Sequence, residues 1–224
     1  MSDTGKDRLF EQLAVVGKAF ANAKRLELID LLAQGERTVE SLAHSAGLGV
    51  STTSAHLQVL KLASVVTTRR EGTRIHYRLA GDDVAAVYAA LGSIAREHSP
   101  DVERARESYL GLRGVAPDVE ELTRDQLLAR MADGEVAVLD VRPADEYAAG
   151  HIPGALSMPF GDLVEGISRL DPDIEVVAYC RGAYCVLAHD AVRLLHHEGR
   201  RATRLQDGWL EWRLAGLPVA VGAS

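Results

Sequence analysis

Apolar positions along the chain follow two different periods. Leu9, Phe10, Leu13, Val16 and Phe20 recur at helical intervals, as do Leu28, Leu31 and Leu32 after Lys24-Arg25. Gly35 stops the second of these helices. Thr38 to Ala43 starts a short third one, ended by Gly47-Leu48-Gly49. A fourth runs from about Val50 to Ala63, with Val50, Thr53, Leu57 and Leu60 expected to point inward. The period then shortens. Val65 to Arg70 and Thr73 to Leu79 are rich in β-branched residues, and Glu71-Gly72 between them predicts a hairpin turn. Val84 to His98 is helical again, with Val84, Val87, Leu91 and Ile94 on one face.

Beyond Ser99-Pro100 the pattern changes. Residues 101–120 are charged, contain Gly111, Gly114 and Pro117, and read as a linker that begins as an extension of the preceding helix. Strands and helices then alternate. Thr123-Arg124-Asp125-Gln126 fits a capping box. Val136 to Asp140, Ala155 to Met158, Ile174 to Tyr179 and Ala202 to Leu205 are apolar strands. Helices are expected after Thr123, from Pro143 to Ala149, from Gly161 to Leu170, from Tyr184 to Glu198 and from Trp209 to Leu214. Apolar strands alternating with helices imply a parallel sheet covered on both faces.

The expectation is two domains: 1–98, mainly helical with a hairpin, and 121–224, α/β, joined by 99–120. Charge sharpens the division. Residues 1–98 hold 12 Lys+Arg against 11 Asp+Glu, whereas 99–224 hold 13 against 21. The net charge of −7 thus belongs to the second half. The N-terminus lacks the apolar core of a secretory signal, and no apolar run approaches the roughly 18 residues of a membrane span. A cytoplasmic protein with reduced thiols, and no membrane partner, is expected.

Helix, tight turn, helix and a two-stranded wing make a winged helix-turn-helix. The helix from Val50 is the expected recognition helix. Its Ser51, Thr52, Ala55, His56 and Gln58 are small or hydrogen-bonding residues suited to base edges and phosphates. Arg69, Arg70 and Arg74 on the wing suit phosphate contacts. Ala19 to Ile29, Ser54-Ala55-His56-Leu57-Gln58-Val59-Leu60 and Arg69 to Leu79 together resemble the ArsR/SmtB family of bacterial repressors over roughly residues 7–98. The resemblance implies a homodimer built through terminal helices, here 7–21 and 84–98, bound to partly palindromic double-stranded operator DNA and released by a ligand or redox event. Ala23 stands where the family often has proline. Metal-sensing members carry a cysteine pair in the helix that here reads Val39 to Ala46, which has none. The scattered His44, His56, His76 and His98 lack ligand spacing, so no metal and no cofactor are expected.

Both cysteines of the chain lie in the second half, in Tyr179-Cys180-Arg181-Gly182-Ala183-Tyr184-Cys185. A thiol at the end of a buried strand, followed by a short loop and a helix N-terminus, sits where thiolates and anions are stabilised. Leu139-Asp140-Val141-Arg142, Glu146-Tyr147, Gly150-His151-Ile152-Pro153-Gly154-Ala155, the Cys180 loop and Asp207-Gly208-Trp209 resemble the rhodanese (sulfurtransferase) family over about 120–220. That resemblance implies that Cys180 takes up sulfane sulfur as a persulfide from a small donor and passes it to a thiol acceptor. Arg181, Gly182, Ala183, Tyr184, Cys185 and Arg142 would bind the substrate. Asp140, Glu146 and His151 read as structural. Many active members have arginine at the sixth loop position; here it is Cys185, a candidate redox partner of Cys180. The short loop without a terminal arginine argues against phosphatase and arsenate reductase readings.

The expected function is a DNA-binding repressor whose rhodanese-like domain senses or transfers sulfane sulfur. The rival expectation is a sulfurtransferase whose DNA-binding domain answers another signal.

Overall fold

In a computed structural model the protein is described for residues 4–111 and 119–222, and these divide into two compact units, 1–91 and 92–224. The division falls within a helix, after Leu91, rather than at His98.

The first unit comprises α1 (Thr4–Phe20), α2 (Ala23–Gln34), β1 (Arg37–Thr38), α3 (Val39–Ser45), α4 (Val50–Leu62), β2 (Val66–Glu71), β3 (Arg74–Leu79) and the start of α5 (Asp82–His98). Asn22 caps α2 by accepting from Arg25 N, which puts Ala23 at the first helical position, where proline is also favoured. One core joins Leu28, Ile29, Leu31 and Leu32 of α2 to Leu42, Leu57, Leu60, Val66 and Tyr77. Of the four α4 residues expected inward, Thr53, Leu57 and Leu60 are fully buried, but Val50 is 48% exposed. It is the first residue of the helix and stands outside the core cluster. The hairpin pairs Glu71 with Arg74, so its turn is Gly72-Thr73, one residue later than expected, with Gly72 at φ 60°. The two-residue β1 adds a third strand beside β3.

The second unit continues with α6 (Pro100–Tyr109), β4 (Glu121–Leu122), α7 (Arg124–Ala132), β5 (Val136–Asp140), α8 (Ala144–Ala149), β6 (Leu156–Ser157), α9 (Leu163–Gly166), β7 (Glu175–Tyr179), α10 (Val186–His197), β8 (Ala202–Leu205) and α11 (Trp209–Leu214). Part of the expected linker is therefore helical, with Pro100 in the first turn of α6; its residues 112–118 lie outside the described residues. The single helix expected over 161–170 is a 3-10 turn, the one-turn α9 and a second 3-10 turn. The Thr123 capping box forms as expected, with Gln126 N bonded to Thr123 Oγ1 and Thr123 N bonded to Gln126 Oε1.

All five strands run parallel in the order β4-β8-β7-β5-β6. Side-chain alternation splits the interior into two layers. Leu139, Val176, Ala178 and Cys180 pack with Ala188, Ala191, Val192 and Leu195 of α10. Val138, Val177, Tyr179 and Leu205 pack on the other face with Leu127, Tyr147, Trp209 and Trp212. Among the described residues no helix is long and apolar enough to cross a membrane.

Candidate functional site

Cys180 directly follows β7 at the carboxyl edge of the sheet, between the neighbouring strands β5 and β8, where open α/β sheets place their ligands. Its side chain is 2% exposed and belongs to the α10 layer. Cys185 is the residue immediately before α10, so the loop spans strand end to helix start. The two Cα atoms are 6.0 Å apart, inside the range a disulfide spans, and the Sγ atoms are bonded. Cys185 N donates to Gly182 O, closing the loop on itself. Among the described residues nothing accepts from the N–H groups of Gly182, Ala183 or Tyr184. Three successive amides beside a helix start are groups of the kind that bind anions when they converge.

The loop is held from below by the last helix. Trp209 N donates to Cys180 O at 2.8 Å and Leu210 N to Arg181 O at 3.0 Å. Gly208 lies so close that a Cβ there would stand 2.3 Å from Gly182 N and 2.5 Å from Gly182 Cα. Glu211 accepts from Gly208 N and packs against Gly182. Burial, with Asp207 adding to it, raises its carboxyl above the usual range, against hydrogen bonds from its own N–H and Gly208 and the charge of Arg96.

The charged residues of the region are placed differently from the rhodanese-based expectation. Arg142 is fully buried; its guanidinium bonds both Asp140 oxygens and Gly150 O, and lies over the Tyr179 and Trp209 rings. Burial works against its charge, but Asp140 outweighs burial and holds it charged. Tyr179 OH donates to Asp140 and accepts from Ile152 N, tying β7 to β5 and the 150–152 turn. Arg142 therefore braces the sheet end beneath the loop rather than lining it. Arg181 forks onto the buried Glu146 at 2.9–3.0 Å from Nε. Its guanidinium lies on α8 instead of turning into the loop. His151 stacks on Tyr147, with 3.6 Å between rings, and bonds Tyr147 O. Asp140, Glu146 and His151 thus have the structural placement expected of them.

In the first unit Ser51, Thr52, Ala55 and Gln58 of α4 are exposed and His56 half-buried, all in one helix beside the wing. A cleft of about 630 Å³ separates α4 from α3 and the wing, lined by Glu40, Ser54, Gln58, Arg74 and Ile75 among others. Arg69 chelates Glu36 and pairs with Glu71, which holds its guanidinium firmly charged. Arg70 Nε donates to Gly72 O at the tip, and Arg74 is exposed.

Two residues of the loop's surroundings went unread in the sequence. Tyr184 OH donates to Gly92 O, and Arg96 sits 5.3 Å from the Tyr184 ring centroid. A separation of some ninety residues leaves no local signal of this contact.

Comparison with known proteins places both units. A rhodanese-like domain model matches residues 123–215, and a model of the bacterial regulatory protein, arsR family, matches 22–68. The chain is 52% identical over 218 residues to the HTH-type transcriptional regulator Rv0324 of Mycobacterium tuberculosis, covering 97% of this chain and 94% of that one. It is 34% identical over 103 residues to a protein named sulfurtransferase from Allochromatium vinosum, covering 45% of this chain and 94% of the relative. Among solved structures it is similar to the homodimeric winged helix-turn-helix DNA-binding domain Mb0332 of Mycobacterium bovis, with 50% identity, TM-score 0.42, and coverage of 45% of this chain and 93% of that one. The chain belongs to the ArsR-family transcriptional regulators and carries a rhodanese-like domain behind its DNA-binding domain.

Proposed function

We propose that the chain is a homodimeric repressor that reads sulfane sulfur through Cys180, with Cys185 as the resolving thiol. The observation that carries this reading is the two-cysteine loop: two cysteines 6.0 Å apart between Cα atoms, beside three amides with no acceptor among the described residues, in a chain whose DNA-binding unit has no cysteine. A thiol signal must then originate in the second unit.

The chemistry balances without a metal. The Cys180 thiolate attacks a sulfur of a hydropolysulfide, forming Cys180–S–SH and releasing a polysulfide one sulfur shorter. The Cys185 thiolate then attacks Cys180 Sγ; the Cys180–Cys185 bond forms and hydrosulfide leaves. Two electrons pass from the thiols to the sulfane sulfur. A dithiol reductant restores the starting state. Arg181 is committed to Glu146 and Arg142 to Asp140, so neither guanidinium is aimed at Cys180 to meet an anionic donor such as thiosulfate, which favours polysulfide over thiosulfate.

On the DNA side, Ser51, Thr52, Ala55, His56 and Gln58 would face the major groove and Arg69, Arg70 and Arg74 the phosphates. Leu9, Phe10, Leu13 and Val16 of α1 and Val87, Leu91 and Ile94 of α5 are all exposed, which supports a second copy packed on these helices.

The test is peptide mass after polysulfide exposure. Wild type should show the Cys180–Cys185 disulfide, and Cys185→Ser should accumulate a gain of one sulfur on Cys180. A Cys180 that never gains sulfur overturns the reading. The rival reading, a sulfurtransferase serving metabolism, is favoured by the similarity to the Allochromatium protein. Steady thiosulfate turnover that depends on Cys180, with operator binding indifferent to sulfur, would establish it.

A further inference from the structure

The loop between the two cysteines is not held by the rhodanese-like segment alone. Tyr184, next to Cys185, reaches out of that segment and donates its hydroxyl proton to Gly92 O at 3.0 Å. Gly92 and Arg96 stand one helical turn apart in α5 and belong, with Tyr184, to the second unit. A Cβ on Gly92 would come within 3.2 Å of the Tyr184 oxygen and 3.3 Å of Cε2, so an alanine there would require the ring to shift by a few tenths of an ångström. Arg96 covers that ring at 5.3 Å, a cation–π distance, and its charge reaches Glu211, which itself packs against Gly182. Gly92 and Arg96 thus bear on the loop at Tyr184, and Arg96 also, through Glu211, at Gly182. Gly92 and Arg96 lie outside residues 123–215, whereas Gly182, Tyr184 and Glu211 lie within them.

We propose that Gly92 and Arg96 are positioning residues for the Cys180/Cys185 pair: by seating Tyr184 they hold the loop in the closed form and favour the disulfide over the dithiol. The proposal rests on the reading of this loop as a sulfur-handling site. The hydroxyl–carbonyl bond is made in the closed form. Opening the Cys180–Cys185 bond frees the residue next to Tyr184, so whatever the seat contributes is linked to the thiol–disulfide equilibrium. The reaction that reads it is exchange with glutathione, in which two glutathione thiols give their electrons and protons to Cys180 and Cys185 and leave as glutathione disulfide.

The experiment is a redox titration of the full-length protein in glutathione buffers, with thiols counted by alkylation mass. Tyr184→Phe keeps the ring beneath Arg96 and deletes the hydroxyl. It should shift the equilibrium three- to tenfold toward the dithiol, or about 14–30 mV at 29.6 mV per tenfold. Gly92→Ala should shift it in the same direction, and it improves helix propensity, so loss of α5 does not explain the result. Arg96→Gln should shift it also, with Arg96→Lys intermediate. Tyr109→Phe, at an exposed tyrosine of the same unit, should leave it unchanged. Equilibria for Tyr184→Phe and Gly92→Ala both within 1.5-fold of wild type overturn the proposal. If Cys180 takes up no sulfur but these shifts occur, the sulfur reading fails and the positioning role stands.

Discussion

Replacing Gly208 with alanine tests the geometry of the loop with one methyl group. The backbone at 208 is extended (φ −132°, ψ −165°), a conformation alanine adopts freely, so the effect is steric alone. The added Cβ would stand 2.3–2.6 Å from backbone atoms of Arg181 and Gly182. Relief to an ordinary contact needs roughly 1 Å of separation between loop and α11. That movement carries the Trp209–Cys180 and Leu210–Arg181 backbone bonds, now 2.8 and 3.0 Å, beyond bonding distance. Overpacking of this kind costs about 1–3 kcal/mol, and each lost bond about 0.5–1.5 kcal/mol, overlapping quantities that together point to about 2 kcal/mol. Misplacing Cys180 by about 1 Å should slow its capture of sulfur about 10²-fold. Urea unfolding followed by tryptophan fluorescence reads the stability of the second unit alone, because both tryptophans of the chain, Trp209 and Trp212, lie there. Stopped-flow loss of polysulfide reads the rate. Stability within 0.5 kcal/mol of wild type (roughly the scatter of a neutral surface change) together with an unchanged rate would refute this account of how the loop is held.

Glu146→Gln should cost about 2 kcal/mol, less than a fully buried pair because Arg181 is 24% exposed, and should raise the rate with thiosulfate by releasing the Arg181 guanidinium; single-turnover persulfide formation checks it. His189 is buried, with neither ring nitrogen bonded among the described residues, and burial pushes its pKa down to about 4. The folded state therefore refuses a proton that the unfolded chain accepts near 6.5, so stability is full above about pH 6.5 and falls as pH drops toward 4, by about 3 kcal/mol at most. His189→Leu should flatten that slope in urea titrations at pH 7.5 and 4.5. On the wing, Arg70→Ala should weaken operator binding and reduce the salt slope by about 0.9, whereas Arg69→Ala should do less because Glu36 and Glu71 already compete for its guanidinium; fluorescence anisotropy across a salt series decides.

What the sequence made legible follows the range of the forces involved. Cys180 at the end of β7, the Thr123 cap and the buried face of α4 from Thr53 onward come from neighbours within one or two turns, where periodicity and capping chemistry act. The two-residue strands β1 and β4 have no period to read and exist only because β3 and β8 offer them a ladder. Arg181 and Glu146 stand 35 residues apart and are joined by the sheet, so no local signal shows that the Arg181 charge, expected to bind substrate, is drawn to α8. Arg142 carried a family role of facing substrate, yet the fold encloses it with Asp140. The Tyr184 seat on Gly92 spans 92 residues and links the loop to a helix outside the matched rhodanese segment.

The central claim is that sulfur on this loop changes DNA binding. Operator affinity of one full-length sample, measured by anisotropy before polysulfide, after it, and after reduction with a dithiol, tests it most directly. The account predicts at least tenfold weaker binding after polysulfide, restored by the dithiol, and absent in Cys180→Ser. An affinity that stays constant while mass shows the Cys180–Cys185 disulfide formed would contradict it.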